Sequence, residues 1–268
     1  MALWFAALLG VVQGLTEFIP ISSTAHLRIM PALFGEKDPG SGFTAVIQLG
    51  TLLAVLVYFR RDLIALPAAM FKSPSSPDGR MAWLIAVGSV PIAVAGVFLK
   101  KYIEGDLRSL YVIAISLISF GIVMAIIDRI ASGNDSPRPL AAITFADAML
   151  VGFAQTLALV PGVSRSGATI CMALLLGFSR SDSARFSFLL SIPAVAGAGF
   201  FEMRTAVFEL GRDAIPALVV GAGTAAVVGY IVIAWLMKWL GSHDLIGFAI
   251  YRIVAGLALL GALFAEVV

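Results

Sequence analysis

Six apolar stretches, each long enough to cross a lipid bilayer as a helix, constrain this chain more than any other feature of its sequence. A helix needs about 20 apolar residues to span the hydrocarbon layer. Hydrophobic residues fill 60% of the 268 positions and charged residues only 13%, well below the roughly 25% charged in soluble domains. The sequence therefore predicts an all-α polytopic membrane protein, with residues 1–268 forming a single integral membrane domain. The predicted transmembrane helices lie at 43–59, 82–99, 110–127, 186–203, 214–237 and 247–266.

The charge and the cysteine content exclude several other classes of protein. A formal net charge of +2 is too small to indicate nucleic-acid binding. The single cysteine, Cys171, lies in an apolar run, so neither a disulfide framework nor a metal-thiolate site is expected. The N-terminus lacks the basic segment of a secretory signal peptide, so we expect it to belong to the mature fold.

Two further apolar regions, 2–33 and 140–178, are interrupted in the middle by proline and small hydroxylated residues. The interruptions read FIPISSTAH and LVPGVSRSGAT. Non-helical backbone at membrane depth requires protein or a water-filled cavity to satisfy its polar groups, so each region is predicted to form a re-entrant helix pair. An ordinary span with a kink is the alternative, because proline and glycine are frequent in membrane helices.

The two interrupted regions also resemble each other. A glycine, a glutamine and a leucine recur in the same order, followed by a proline and then by serines. This pattern divides the chain into pseudo-repeats of about 1–130 and 140–268. If both regions re-enter and the six stretches cross, the halves form an inverted repeat, as in many transporters. The aligned residues are Gly10, Gln13 and Leu15 in the first region and Gly152, Gln155 and Leu157 in the second.

The distribution of lysine and arginine predicts the orientation of the chain. Loops on the side away from the N-terminus hold nine of these residues, against six on the N-terminal side. Because cytoplasmic loops carry the excess of basic residues, both termini are expected outside the cytoplasm.

The first interruption carries residues with catalytic chemistry. Gln13 and Glu17 are four apart and share one helix face, and a carboxylate at membrane depth usually faces a cavity and has a partner or a task. After the proline, Ser22 or Ser23 can cap the next helix, which brings His26 round one turn later. A serine, a histidine and a carboxylate suit nucleophilic or general-base catalysis. The alternatives are that Glu17 pairs with a buried arginine and that His26 is a packing residue.

The second interruption, PGVSRSGAT at 161–169, predicts a phosphate-binding cradle. A helix that begins here directs its N–H groups at the cavity, and Arg165 can bind phosphate oxygens in a bidentate manner. Arg165 could instead neutralise Glu17. The remaining contributors are the close-approach glycines Gly162 and Gly167 and the hydroxyls of Ser164, Ser166 and Thr169.

Three charged residues lie outside the interruptions and have less distinctive surroundings. Arg252, near the start of the last span, is expected to snorkel to the interface, with a cavity-lining role as the alternative. Asp147 is an ordinary carboxylate at a helix start. Arg28 either meets an anionic substrate or faces a loop.

The segments GVVQGLTEFIPISSTAHL at 10–27 and PGVSRSGATI at 161–170 resemble the two signature motifs of the bacterial undecaprenyl-diphosphate phosphatases, the bacitracin-resistance family. The likeness extends over nearly the whole chain. It implies a hydrolase of the bacterial plasma (inner) membrane that removes the terminal phosphate of undecaprenyl diphosphate, recycles the carrier lipid of peptidoglycan synthesis and gives bacitracin resistance. It also implies a site facing the periplasm, a polyprenyl diphosphate lipid substrate and a divalent cation, Mg²⁺ or Ca²⁺. Whether the chain forms a homodimer is left open.

The resemblance assigns roles by position. Gln13 stands where some members have glutamate, so a metal site with two carboxylates does not follow, and Glu17 is the one expected metal ligand. In the expected reaction Ser23 attacks the phosphoryl group, or His26 activates a water that does. A transporter or flippase of a phosphorylated polyprenyl lipid is the rival, and a structural scaffold is a weaker one. The expected catalytic residues are Glu17, Ser23, His26 and Arg165, and the expected substrate-binding residues are Gln13, Ser22, Ser164, Ser166, Gly167 and Thr169.

Overall fold

The computed structural model describes residues 1–267, apart from the side chains of Lys100, Glu104, Asp106 and residues 204–210. Over this range the chain folds into helices joined by short turns. The helices are α1 Leu3–Thr16, α2 Ser23–Leu33, α3 Gly40–Tyr58, α4 Arg60–Lys72, α5 Pro77–Gly88, α6 Val90–Glu104, α7 Leu110–Ala131, α8 Phe145–Thr156, α9 Arg165–Leu175, α10 Arg180–Leu210, α11 Ile215–Trp239 and α12 Ile246–Phe264.

Among the described residues, six segments are long and apolar enough to cross a membrane, which confirms the six predicted spans. The second span consists of two helices, α5 and α6, which meet at Ser89. Ser89 Oγ donates to the carbonyl oxygen of Ile85 at 2.8 Å. The six segments are Gly40–Tyr58, Pro77–Leu99, Leu110–Ala131, Arg180–Met203, Arg212–Trp239 and Ile246–Phe264.

Helix α4 was not predicted, because its charged first turn has the composition of a loop. It starts directly after α3, and only Leu66 in it is buried. Ile64 and Phe71 on the same helix are both more than three-quarters exposed. A short helix with charged and exposed apolar residues suits the membrane surface.

Both interrupted regions form pairs of short helices, α1 with α2 and α8 with α9. None of the four exceeds 14 residues, which is too short to cross a bilayer alone. The two helices of each pair also pack against each other, which agrees with the predicted re-entrant pairs. The second helix of each pair follows a serine of positive φ, 75° at Ser22 and 77° at Ser164. The Ser22 hydroxyl accepts from the N–H of Ala25 at 3.4 Å and that of Ser164 accepts from Gly167 at 3.1 Å. The inverted relation between the two halves stays a prediction.

Close contacts at two glycines place the first helix of each pair. A Cβ on Gly10 would lie 2.4 Å from the carbonyl oxygen of Gly221, and one on Gly152 would lie 2.2 Å from that of Gly88. Only glycine permits this approach. As a result α1 packs on α11, and α8 packs on α5 and α6.

Ion pairs between helix ends agree with the predicted grouping of the loops into two sides. Asp62, in the first turn of α4, pairs with Arg185 near the start of α10 at 2.9 Å. Asp128, near the end of α7, pairs with Arg180, the first residue of α10, at 2.7 Å. All four residues lie at helix ends that the six-span topology assigns to the side away from the N-terminus.

Candidate functional site

The carboxylate of Glu17 joins the two helix pairs. It follows α1 directly and is 8% exposed. One of its oxygens, Oε2, accepts hydrogen bonds from Gln13 Nε2 at 2.9 Å and from Ser23 Oγ at 2.6 Å. The other, Oε1, pairs with the guanidinium of Arg165 from the second pair. Four of the predicted site residues therefore meet at one carboxylate, and the ion pair that was the structural alternative for Arg165 is present.

Ser23 is the first residue of α2, and its position follows from the helix break. Ser22 caps the helix with its own side chain, which leaves the hydroxyl of Ser23 free to donate to Glu17. A carboxylate that accepts from a serine hydroxyl is placed to take its proton. The pair Ser23–Glu17 thus has the geometry of a nucleophile and its base.

Gln13 is fully buried one turn before Glu17. Its amide nitrogen also donates to Thr51 Oγ1 in α3 at 3.3 Å. Its amide oxygen, Oε1, has no hydrogen-bond partner among the described residues. The amide oxygen of Gln13 is therefore available to a ligand close to the Glu17 carboxylate.

In the second break, Arg165 lies between two serines in the sequence. Ser164 Oγ lies 3.1 Å from Ser166 Oγ, and both serines are almost fully buried. Thr169 faces elsewhere: its hydroxyl lies 2.8 Å from the carbonyl oxygen of Arg165, to which it can donate, and 2.5 Å from Ser187 Oγ in α10. The side chain of Thr169 is completely buried, so in this geometry it packs α9 against α10, and its predicted contact with substrate stays a prediction.

The imidazole of His26 is oriented by the Ser22 carbonyl and the Tyr251 hydroxyl. Its Nδ1 lies 2.8 Å from the carbonyl oxygen of Ser22, and its Nε2 lies 2.7 Å from the hydroxyl of Tyr251 in α12. Within the described residues His26 has no hydrogen bond to Ser23 or Glu17. No sequence signal pointed to Tyr251, which stands far from both motifs.

Arg252 does not snorkel to the interface, and that prediction is wrong. The side chain is 0% exposed. It donates to the carbonyl oxygen of Pro20 at 3.0 Å and to that of Gly162 at 2.6 Å, and it lies over the ring of Phe120, 5.1 Å from the centroid. Each helix break leaves carbonyl groups without helical donors, and such groups need a partner at membrane depth. Arg252 donates one hydrogen bond to a carbonyl group in each break and so connects the two helix pairs.

The remaining charged candidates lie outside the site. Arg28 pairs with Asp38 at 3.3 Å, so it takes the loop-facing alternative. Asp147 forms a capping box with Thr144 and pairs with Arg138 at 2.8 Å. Burial raises the pKa of Asp147, but the hydrogen bonds from Arg138 and Thr144 outweigh it, and the pKa lies below its ordinary value.

The oxygen atoms at this site fit a hard divalent cation that shares its ligands with a substrate. No cluster of three or more His, Cys, Asp or Glu side chains converges in the described part of the chain. Glu17, the unpartnered Gln13 Oε1 and the Ser23 hydroxyl are all oxygen donors. Mg²⁺ commonly binds through one or two carboxylates together with substrate phosphates and water, which is compatible with this set.

Comparison with known proteins places the chain among membrane phosphatases. The family model for the bacitracin resistance protein BacA matches residues 6–258. The chain belongs to this family. Within the BacA family, its relatives include the undecaprenyl-diphosphatase of Myxococcus xanthus (strain DK1622), which is 47% identical over 97% of this chain and 89% of the relative. The undecaprenyl-diphosphatase of Prosthecochloris aestuarii is 45% identical over 97% of this chain and 96% of the relative.

Proposed function

We propose that this chain hydrolyses undecaprenyl diphosphate to undecaprenyl phosphate and inorganic phosphate. The observation that carries the proposal is the convergence of Ser23 and Arg165 on the Glu17 carboxylate, in a multi-pass membrane chain of the BacA family. Transport of a lipid does not require a serine hydroxyl poised on a carboxylate, whereas phosphoryl transfer uses one directly. Hydrolysis is therefore favoured over a flippase.

The first step is the capture of the diphosphate. Arg165 stands at the N-terminus of α9, where backbone N–H groups favour anions. The terminal phosphoryl oxygens take the place of the Glu17 carboxylate as the partner of Arg165. The exchange positions the substrate and frees Oε1 of Glu17, and Arg165 then stabilises charge that develops on the transferred group.

The second step is the attack on phosphorus. The Ser23 oxygen forms a bond to the terminal phosphorus while the bond to the bridging oxygen breaks, and undecaprenyl phosphate leaves. Glu17 takes the hydroxyl proton, since it already accepts a hydrogen bond from Ser23 at 2.6 Å. Water then cleaves the phosphoserine and releases phosphate. In the alternative, His26 activates a water that attacks directly.

A divalent cation, Mg²⁺ or Ca²⁺, is proposed to be held by Glu17 and Gln13 Oε1 together with diphosphate oxygens. Such an ion would neutralise charge on the diphosphate and its leaving group. Gln13 Oε1 is available as a ligand, because among the described residues it has no hydrogen-bond partner. The diphosphate oxygens would supply further ligands to the same ion.

The protein is proposed to lie in the bacterial inner membrane with the site facing the periplasm. The basic residues are fewer on the side of the termini, which is the pattern of non-cytoplasmic loops. The first helix pair enters from that side. The prenyl chain would remain in the bilayer while the diphosphate reaches the site between the pairs.

The test is phosphate release from a long-chain prenyl diphosphate by the purified protein in detergent with Mg²⁺ or Ca²⁺. Release that is lost in Glu17→Ala and Arg165→Ala while both variants stay folded supports the proposal. Well-folded wild type that binds the lipid without releasing phosphate rejects it and favours transport. Light scattering on the same sample distinguishes a monomer from a homodimer.

A further inference from the structure

The two hydrogen-bond partners of His26 determine which of its ring nitrogens is basic. Nδ1 lies 2.8 Å from the Ser22 carbonyl oxygen, and a carbonyl can only accept, so Nδ1 carries a proton. In the neutral ring Nε2 then has a lone pair. Nε2 lies 2.7 Å from the hydroxyl of Tyr251, which donates to it. Neutral His26 is therefore the Nδ1–H tautomer.

Tyr251 can serve both protonation states of this ring. Its hydroxyl donates to the neutral Nε2, and after rotation it accepts from the Nε2–H of the imidazolium. The two rings are nearly parallel, with an interplanar angle of 12° and centroids 5.7 Å apart. In the described part of the chain, His26 is the one protein partner of the hydroxyl. The Ser22 carbonyl thus fixes the tautomer of the imidazole, and the contact with Tyr251 fixes its plane.

The place of Tyr251 in the fold separates it from the groups that bind phosphate. It belongs to α12, outside both signature motifs. The next residue, Arg252, is wholly buried between the helix breaks, whereas Tyr251 is 45% exposed. The phenol therefore lies at the rim of the site, and its hydrogen bond goes to His26 rather than to Ser23 or Arg165.

We propose that Tyr251 is a positioning residue for His26 in the phosphatase reaction, which makes this inference dependent on the proposed function and on its route in which His26 activates the attacking water. The Ser22 carbonyl selects the Nδ1–H tautomer, and Tyr251 holds the Nε2 side of the ring in place. When Nε2 takes the proton of the attacking water, the hydroxyl rotates and accepts from the new Nε2–H. Loss of the hydroxyl leaves the ring held by the Ser22 carbonyl alone, so its orientation is less fixed and the chemical step slows. Substrate affinity is retained, because the phosphate-binding groups are untouched.

The kinetic experiment compares Tyr251→Phe, which keeps the stacked ring, with wild type in phosphate release from a long-chain prenyl diphosphate. We expect kcat to fall by about tenfold or more, as for loss of an acid–base positioning contact, with KM changed by less than about twofold. The matched control is Tyr111→Phe. Tyr111, in α7, is 47% exposed and packs edge-on against Phe264 of α12, the helix that carries Tyr251. The variant Tyr111→Phe is expected to behave as wild type.

A spectroscopic readout separates a role through His26 from a general loss of structure. His26 and His243 are the two histidines of the chain, so labelling histidine with ¹⁵N gives two imidazoles, and His243→Gln assigns them. In Tyr251→Phe the His26 Nε2 resonance is expected to move. The His243 resonances should not, because that ring stacks on Trp239 with centroids 3.7 Å apart and reports an intact fold.

The outcomes distinguish the two proposals. Wild type that releases no phosphate rejects the proposed function and, with it, the role of Tyr251. Active wild type with an unchanged kcat in Tyr251→Phe rejects the inference about Tyr251 alone. A lowered kcat with unmoved His26 resonances also rejects it, because the hydroxyl would then act by another route.

Discussion

Ser23 Oγ lies 2.6 Å from Glu17 Oε2, across the break that separates α1 from α2. The two residues are six apart in sequence, and the turn through Pro20 brings them together. Glu17 Oε1 meanwhile pairs with Arg165, which is 148 residues away along the chain. One carboxylate thus connects a candidate nucleophile to the anion-binding group of the other helix pair.

Removal of the Glu17 charge should abolish activity and lower stability together. Glu17→Gln keeps the shape but removes the proposed base, and general-base catalysis contributes about 10²–10⁴-fold in rate. It also leaves the partly buried Arg165 without its charge partner, which costs up to about 3–5 kcal/mol, the figure for a fully buried pair. Phosphate release and thermal unfolding in detergent measure the two effects.

The double variant Glu17→Gln/Arg165→Met separates these effects. It removes both charges, so no unpaired charge is left in the site and we expect it to recover most of the lost stability. Activity should stay lost. A double variant as unstable as Glu17→Gln would contradict the ion-pair interpretation.

Arg252 should be essential for the stability of the two breaks. Arg252→Met leaves the carbonyl groups of Pro20 and Gly162 without this donor, and unsatisfied buried groups cost about 1–3 kcal/mol each. We expect a large drop in the midpoint of thermal unfolding. The control is Arg129→Met, an exposed arginine of α7, for which we expect a change within about 0.5 kcal/mol. Equal effects of the two substitutions would argue against the connecting role of Arg252.

Gln13 and Gln155, which the predicted pseudo-repeat aligns, should respond in opposite ways to removal of the amide. Both are fully buried, but neither amide atom of Gln155 has a partner among the described residues. A buried unsatisfied polar group costs about 1–3 kcal/mol, so Gln155→Met is expected to raise the unfolding temperature. Gln13→Met should lower it, because it removes hydrogen bonds to Glu17 and Thr51. Thermal melts of both variants under one condition check the contrast.

Removal of divalent cations should stop phosphate release reversibly. A chelator is expected to abolish activity, and added Mg²⁺ or Ca²⁺ to restore it. Gln13→Glu adds a second carboxylate beside Glu17, so the cation concentration needed for half-maximal activity should fall, since charged oxygens bind hard cations more strongly. Full activity of chelator-treated wild type would exclude the cation.

The pair Arg138–Asp147 should stabilise the fold in a pH-dependent manner. The folded-state pKa of Asp147 lies below its ordinary value of 3.8, so the ionised carboxylate contributes stability above that value. The contribution is lost as the pH falls through the lower, folded-state pKa. The stability difference between wild type and Asp147→Asn should therefore be full at neutral pH and shrink under strong acid. A difference that is constant down to pH 3 and below would contradict this assignment.

Local chemistry made the spans and the breaks predictable. An apolar run of about 20 residues requires a membrane or an extensive core whatever its neighbours are. Proline and the capping serines end and start helices within a few residues, so both helix pairs could be placed from sequence. The same reasoning missed α4, because its charged first turn looks like a loop.

The partners of the polar groups depended on which distant segments meet. Glu17, Arg165 and Ser23 could be proposed together because both breaks were expected to face one cavity. Tyr251 and Arg252 could not be placed, since a span that is apolar around them gives no sign of which carbonyl or imidazole it will approach. The helices and the types of reactive group could be read from the sequence, because both follow from local composition. The hydrogen-bond partners depend on the packing of the helices, because carbonyls freed by two breaks far apart in the chain must find donors where the packed helices bring them.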